Sequence, residues 1–382
     1  MNFWILMVNR IAVLILILIV ISFSISCSCD DDGKKNIIDP GNDEIEFTQS
    51  AQTLGNTRSF SVSVGDVDQD NDNDILIANY IGPSRLWLNT GSGAFNQSSQ
   101  VFNSSEVHGS DMKDLNGDTF PDIIMVNHAS PGRVYFNNGS GRFTAGSQNI
   151  GAAGEHPQDV VLEDIDGDGD NDALVYNLSA ANRLWINDGS GNFSMRNINY
   201  SGSDCSGIIL ADFNDDTFPD MCLRFRSQNE QIWLNDGAGN FSSHSELPAG
   251  NYEDMDAGDV NGDGTIDIAA SGSSIKVWLN QNNSGTFTAG QAISESALEC
   301  RLFDADDDGD LDLITADISN GNKLWINDGS GSFSLEGTVF GTSRVLSIGI
   351  GKFNSDNLLD IVLGKLEGTG GNPIYFNESS VD

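Results

Sequence analysis

The sequence predicts an all-β chain: a seven-bladed β-propeller of four-stranded antiparallel blades, closed by an N-terminal strand that completes the last blade. Three observations predict it. A nine-residue acidic loop, D-x-D-x-D-G-x-x-D, starts at Asp66, Asp114, Asp164, Asp212, Asp259 and Asp304 and, in degraded form, at Lys352. Copies follow one another every 45 to 50 residues, a period that belongs to propellers and other stacked arrays. A second motif, built on W-x-N-x-G-x-G-x-F, trails the loops along the chain. The third observation is a strand count, in which the last copy lacks one strand and the N-terminus has one to spare.

The first copy shows the unit. Ser59 to Gly65 alternates apolar and polar residues and reads as strand A, and the acidic loop Asp66 to Asp74 turns it into strand B, Ile75 to Asn79. The turn Ile81-Gly82-Pro83-Ser84 leads to strand C, Arg85 to Asn89, and Thr90-Gly91-Ser92-Gly93 makes a tight hairpin into strand D at Phe95. Strand C carries an aromatic in every copy: Trp87, Tyr135, Trp185, Trp233, Trp278, Trp325 and Tyr375. Recurrence in every blade points to packing between neighbouring sheets, with a sugar-stacking stripe as the alternative. Two residues on stand Asn89, Asn137, Asn187, Asn235, Asn280, Asn327 and Asn377, expected to tie down the hairpin that follows.

The seventh copy offers strand A (Arg344 to Gly351), strand B (Ile361 to Gly364) and strand C (Pro373 to Asn377), but no strand D. Glu44 to Gln49 matches the strand-D pattern of the other copies. Placed on the last blade, it closes the ring and covers an open edge. Residues 44–382 then form one propeller with no second domain.

Formal charge is -38, from 56 Asp+Glu against 18 Lys+Arg. The carboxylates are phased into the loops rather than blocked in a tail, and a field of this sign would repel nucleic acid. Carboxylates at alternate positions, with glycine at position 6 to bend the loop back, match the way a short loop wraps oxygen ligands around a hard cation. The candidate ligands are Asp66, Asp68, Asp70 and Asp74 in the first loop, Asp114, Asn116, Asp118 and Asp122 in the second, and Asp164, Asp166, Asp168 and Asp172 in the third. They continue with Asp212, Asn214, Asp216 and Asp220, then Asp259, Asn261, Asp263 and Asp267, and finally Asp304, Asp306, Asp308 and Asp312. The expected ions are structural Ca2+, up to six. Thr119 and Thr217 stand at position 6, where a β-branched residue fits a left-handed turn poorly, so those loops are expected to differ in geometry or affinity. Lys352 cannot ligate a cation, and its ammonium is expected to face Asp356 and Asp360 in the role of the ion.

These loops, each leading into strand B and then the W-x-N motif, resemble the FG-GAP/VCBS repeats of integrin-alpha-type propellers over essentially the whole mature chain. The resemblance implies a calcium-stabilised, monomeric recognition module for protein or glycan at a cell surface.

Residues 1–26 read as an export signal. Arg10 is the positive n-region, Ile11 to Ile25 the apolar h-region, and Ser24-Ile25-Ser26-Cys27 resembles a relaxed bacterial lipoprotein signal, with Cys29 as the rival acceptor. Asp30-Asp31-Asp32 resembles the tag that sends some lipoproteins to the outer face of the outer membrane of Gram-negative bacteria. Residues 27–43 read as a flexible acidic tether. An uncleaved membrane anchor is the alternative. The remaining cysteines, Cys205, Cys222 and Cys300, are odd in number and are expected to be buried free thiols.

Propellers recognise ligands on the face built from the D-to-A and B-to-C connections, opposite the A-to-B loops. That face also carries the candidates for an alternative reading, a polysaccharide lyase: His108, His128 and His156, with Tyr80 and Arg133 in neighbouring turns. A structural part of an envelope complex is the third reading. No nucleophile elbow, phosphate loop or zinc spacing is present.

Overall fold

The computed structural model describes residues 45–379 apart from the short segments 103–105, 129, 152–154, 179–180, 199–204, 318–320 and 367–369. The export signal, Cys27 and the tether lie outside the described residues. Every copy of the repeat folds as one antiparallel sheet in the order A-B-C-D, and the described residues make seven such four-stranded sheets. In blade one the strands are Ser59–Gly65, Asp74–Asn79, Ser84–Asn89 and Phe95–Phe102. Strand B starts one residue earlier than its apolar run, because Asp74 at the end of the loop already pairs with Gly65. The seven A strands touch in a closed cycle around the axis.

Sheet neighbours bury both faces of strand B, so Asp74–Asn79, Asp122–Asn127 and Asp172–Asn177 are buried at every residue. The strand-C aromatics fill the gaps between blades. Tyr135 of blade two packs with Leu76, Leu86 and Phe102 of blade one, and Trp233 of blade four with Leu174 and Leu184 of blade three. They are core, which sets aside the stacking stripe. Cys222 and Cys300 are buried free thiols, as expected, and Cys205 is buried as well.

The ring closes through the N-terminal strand, which runs Phe47–Leu54 rather than 44–49. Phe47 pairs with Asn377, as Phe95 pairs with Asn89 in blade one, and this contact sets where the strand begins. Pairing then continues past a bulge between Gln49 and Thr53 to Leu54 opposite Asn372. Gln52 extends the grip to blade one: its Nε2 donates to Phe95 O at 2.6 Å and its Oε1 accepts from Phe95 N at 2.9 Å. Gln148 and Gln291 hold Phe193 and Phe333 in the same two-bond manner.

Deleting residues 44–54 should therefore open blade seven and release blade one together. The truncated protein is expected to aggregate, or to melt at least about 10 °C lower by circular dichroism, whereas deletion of 30–40 leaves the melting curve in place. Equal stability of the two truncations would refute this closure.

Candidate functional site

The acidic loops are built inward from two carboxylates. At position 1 the carboxylate collects backbone N–H groups from further along its own loop, and position 6 donates to it in all six acidic copies. The distances are 3.0 Å for Asn71 to Asp66, 2.7 Å for Thr119 to Asp114, 3.0 Å for Gly169 to Asp164, and 2.7 Å for Thr217 to Asp212. Gly264 to Asp259 is 2.8 Å and Gly309 to Asp304 is 3.1 Å. Position 6 is left-handed throughout, with φ of 92° at Gly169 and 73° at both Thr119 and Thr217. The threonines therefore keep the common backbone geometry, which corrects the geometric half of the expectation. A short bond to the position-1 carboxylate holds each in a conformation it would otherwise avoid.

At position 9 the carboxylate is a clamp. Asp74 is fully buried, accepting Val67 N at 3.0 Å on one oxygen and Asn89 N at 2.8 Å on the other. Asp122, Asp172, Asp220, Asp267, Asp312 and Asp360 make the same pair of bonds in their blades. Burial pushes the carboxyls of Asp74, Asp122 and Asp312 up to about 7 and those of Asp172, Asp220, Asp267 and Asp360 up to about 6, with the two amides pulling the other way. The strand-C asparagine then reaches across to the preceding blade. Asn137 Nδ2 donates to Val67 O at 2.7 Å, Asn89 to Phe353 O at 3.0 Å, and Asn377 to Ala305 O at 2.7 Å. Asn187, Asn235, Asn280 and Asn327 complete a cycle of such bonds around the ring. The asparagines also hold their own hairpins, as Asn89 Oδ1 does by accepting Thr90 N and Gly91 N.

The loops fall into two groups as hosts for a cation. In the first, third and sixth, carboxylate oxygens converge within 4.8 Å: Asp66, Asp68 and Asp70; Asp164, Asp166 and Asp172; and Asp304, Asp306 and Asp308. These three alone leave buried carboxylate oxygens without a partner among the described residues: Asp68 Oδ1, Asp166 Oδ1, Asp304 Oδ1 and Asp306 Oδ1. Burial and neighbouring carboxylates raise Asp68 and Asp166, and bring Asp306 to about 6. Orphaned, mutually repelling oxygens of this kind fit a hard divalent ion, which would supply charge and coordination but no reaction. In the other three loops position 3 is an asparagine, whose single oxygen leaves no second carboxylate oxygen over. Asn116 and Asn261 accept the N–H two residues on, and Asn214 Nδ2 donates to Asp216 at 2.9 Å. The seventh loop departs from expectation: Lys352 is exposed and makes no ion pair with Asp356 or Asp360, because Asp360 is spent on its two amides and Asp356 caps Leu358.

The opposite face holds a cavity of about 390 Å³ on the axis, lined from all seven blades. Six of the A strands carry a β-bulge near their start, and each bulge turns one residue into this cavity: Phe60, His108, Gln158, Ser206, Glu253 and Leu346. Each stands six residues before its acidic loop, a place in the repeat that sequence reading passed over, apart from His108, because its chemistry differs in every copy. Deeper in the cavity Arg301 donates to Asp254 at 2.6 Å and to Cys300 O at 2.6 Å, while Arg224 donates to Tyr252 O and Ser206 O. Enclosure within the ring pushes Asp159 up to about 7.

The structure brings His108, His128, His156 and Tyr80 together, as expected. Ring centroids lie 4.8 Å apart for His108 and His128, 4.7 Å for His128 and His156, and 5.5 Å for Tyr80 and His108, with Phe60 4.7 Å from His108. Gln158 joins two imidazoles, accepting from His108 Nδ1 at 3.1 Å and donating to His128 Nδ1 at 3.2 Å. His156 Nδ1 donates to His128 O at 3.1 Å. Burial, and then the neighbouring His128, bring His108 down to about 4, and its Nε2 is enclosed without a partner among the described residues. Arg133 does not join this row. It sits exposed in a separate groove between blades one and two, because strand C lies two strands out from the axis.

Seven four-stranded blades joined by acidic A-to-B loops define a seven-bladed β-propeller. The chain matches the FG-GAP-like repeat over residues 114–175, 164–223, 212–270 and 304–363, more than half its length, and belongs to that family. No curated protein matches it in sequence. Solved structures of similar fold include the BP39L lectin from Burkholderia pseudomallei, at 12% identity and TM-score 0.64 over 86% of this chain and 100% of that one. Others are BBS1N in complex with ARL6DN (11%, 0.61, 88% and 97%) and Sqt1 of Saccharomyces cerevisiae (13%, 0.57, 86% and 98%). At such identities the likeness is one of fold.

The position-9 clamp can be tested in a loop whose oxygens are internally satisfied. Asp220→Asn turns an acceptor into a donor facing a buried N–H and should lower unfolding free energy in urea by about 1–3 kcal/mol. The exposed Asp215→Asn should stay within about 0.5 kcal/mol of the parent. A loss no larger for Asp220→Asn than for Asp215→Asn would show that the clamp is dispensable.

Proposed function

We propose that the protein is a calcium-stabilised recognition propeller, anchored to the cell envelope by a lipid on Cys27, whose ligand enters the axial cavity on the face opposite the acidic loops. One observation carries this reading. The bulged position of strand A repeats in place but not in chemistry, offering an apolar ring at Phe60, an imidazole at His108, an amide at Gln158, a hydroxyl at Ser206 and a carboxylate at Glu253. A rigid frame whose cavity-facing position changes in chemistry from blade to blade is suited to binding. The ligand we favour is a glycan of one or two residues, which matches a small cavity of mixed polar lining. An inserted protein loop is the second candidate, and propellers of similar fold include both a lectin and a partner-bound domain. Nucleic acid is disfavoured by the charge, and a single ring suffices for the site.

Lyase chemistry is the weaker reading. A general base must reach the proton it removes, and His108 Nε2 is shut away while His128 is stacked on His108 and held by Gln158, and His156 Nδ1 is spent on His128 O.

For the loops, we propose Ca2+ in the first, third and sixth, where the orphaned oxygens lie. An ion held only by the folded chain contributes about 2.7 kcal/mol per site at a hundredfold excess over Kd. Chelation with EDTA should lower the melting temperature by at least about 10 °C, with Ca2+ restoring it better than Mg2+. Metal analysis should return three tight ions per chain, and two after Asp166→Ala. An unchanged melting curve after verified metal removal would sink the calcium assignment, and six tight ions would sink the division between loops.

Arg226 lines the cavity beside Glu253 and the other bulged residues, and Arg226→Ala and Glu253→Ala should each weaken binding to the best ligand on a glycan array by about 1–2 kcal/mol without moving the melting curve. Binding that survives both changes would move the site elsewhere. Release of unsaturated products from a uronate polymer, abolished by His128→Ala, would replace the binding reading with a lyase.

A further inference from the structure

The position two residues before the strand-C aromatic carries Arg85, Arg133, Arg183, Lys276 and Lys323, which puts five of the 18 Lys+Arg of the chain at one place in the repeat. In blades three and six the protein neutralises this cation itself. Arg183 pairs with Glu155 at 2.8 Å and Lys323 with Glu295 at 2.6 Å, and both acids stand nine residues before their loops. Blades one, two and five have Thr57, Ser105 and Gly250 there instead. Among the described residues, Arg85, Arg133 and Lys276 have no ion pair.

At Arg133 the missing acid coincides with a groove of about 590 Å³ between strand D of blade one, with Gln100 and Val101, and strands C and D of blade two, with Arg133 and Asn149. The groove ends at Asn127, which is 4% exposed and whose Oδ1 has no hydrogen-bond partner among the described residues. Its Nδ2 is held by Pro131 O at 2.9 Å, which fixes the amide. The equivalent oxygen in blade one, Asn79 Oδ1, receives the hydroxyls of Thr57 at 2.6 Å and Ser59 at 3.4 Å, and Val107 stands in the place of Ser59 in blade two. Among the described residues, the groove thus offers this guanidinium no carboxylate and this acceptor no donor.

We propose that this groove binds a carboxylate-bearing sugar, a uronic acid residue of an acidic glycan. The carboxylate takes on Arg133 the place that Glu155 takes on Arg183, where the planar fork of the guanidinium matches two oxygens. A ring hydroxyl donates to Asn127 Oδ1, and the apolar edge of Val101 meets the C–H face of the sugar. The strongly negative chain repels anions elsewhere, so affinity rests on this one cation and falls with salt. The site is separate from the axial cavity and stands whether or not that cavity binds.

Calorimetry on the purified calcium-loaded protein, with trigalacturonate as the probe, tests the proposal. Trigalacturonate should bind at least tenfold tighter than galactotriose and than a tri-aspartate peptide, and more weakly as salt rises. Arg133→Ala should lose at least tenfold in affinity, Arg133→Lys should lose less, and Arg226→Ala in the axial cavity should lose nothing. Melting curves confirm that each variant is folded, and the lysine variant serves if the alanine variant is not. Equal binding of galactotriose, equal binding of the peptide, or full affinity in Arg133→Ala would each overturn the proposal. Loss of binding in Arg226→Ala alone would assign the probe to the axial cavity instead.

Discussion

The buried carboxylate at the end of each A-to-B loop is the constraint on which the rest of the molecule depends. Asp74 and its six counterparts are acceptors for one amide at the start of the loop and another on strand C, so three strands of a blade are pinned by one side chain. The asparagine whose amide is pinned then donates across the blade boundary to the loop behind it. The bond inside the blade and the bond between blades therefore share a residue, and neither can shift alone. This explains why Asp360 and Asn377 keep the pattern where Lys352 has abandoned the start of the loop. The clamp is kept even where the loop begins with a cation.

The two faces of the ring divide the work accordingly. On one, chemistry is repeated and charge accumulates, so that three loops present oxygens that no described residue satisfies. On the other, geometry is repeated and chemistry is free to change, because an extra residue in strand A turns a side chain toward the axis without disturbing the register that follows. Gly109 shows how tight the frame is between these faces: a Cβ there would lie 2.6 Å from Asp159 Cα of the next blade.

Most of this frame was legible in the sequence, because periodic landmarks report on periodic structure. The loops, the Trp and Asn of strand C, and the spare strand at the N-terminus all recur, and their spacing determines the blades. What recurs in position but varies in type was hidden. Phe60, Gln158, Ser206 and Glu253 share no chemistry, so only the bulge reveals that they are one ring. Local rules also misjudged residues that the surroundings control. Thr119 and Thr217 accept a left-handed backbone because a carboxylate holds their N–H. Lys352 stays outside its loop because the carboxylates it was expected to meet already have partners. The His row was found from turn positions alone, whereas Arg133 was grouped with it wrongly because proximity in sequence does not tell which strand of a blade lies near the axis.

The closing strand has a consequence for the order in which the molecule assembles. Glu46 N donates to Ser379 Oγ across 333 positions of chain, while a contact within a blade spans a few tens at most. The entropy of bringing such distant segments together rises only with the logarithm of their separation, but it must be met before any of the closing contacts form. Six blades can therefore be complete while the ring is still a horseshoe with an unpaired edge at one end and a loose strand at the other. A second chain caught in the same state offers the strand that the first one lacks. Concentration during folding, rather than the stability of the finished ring, then decides whether the N-terminal strand finds its own last blade or a neighbour's.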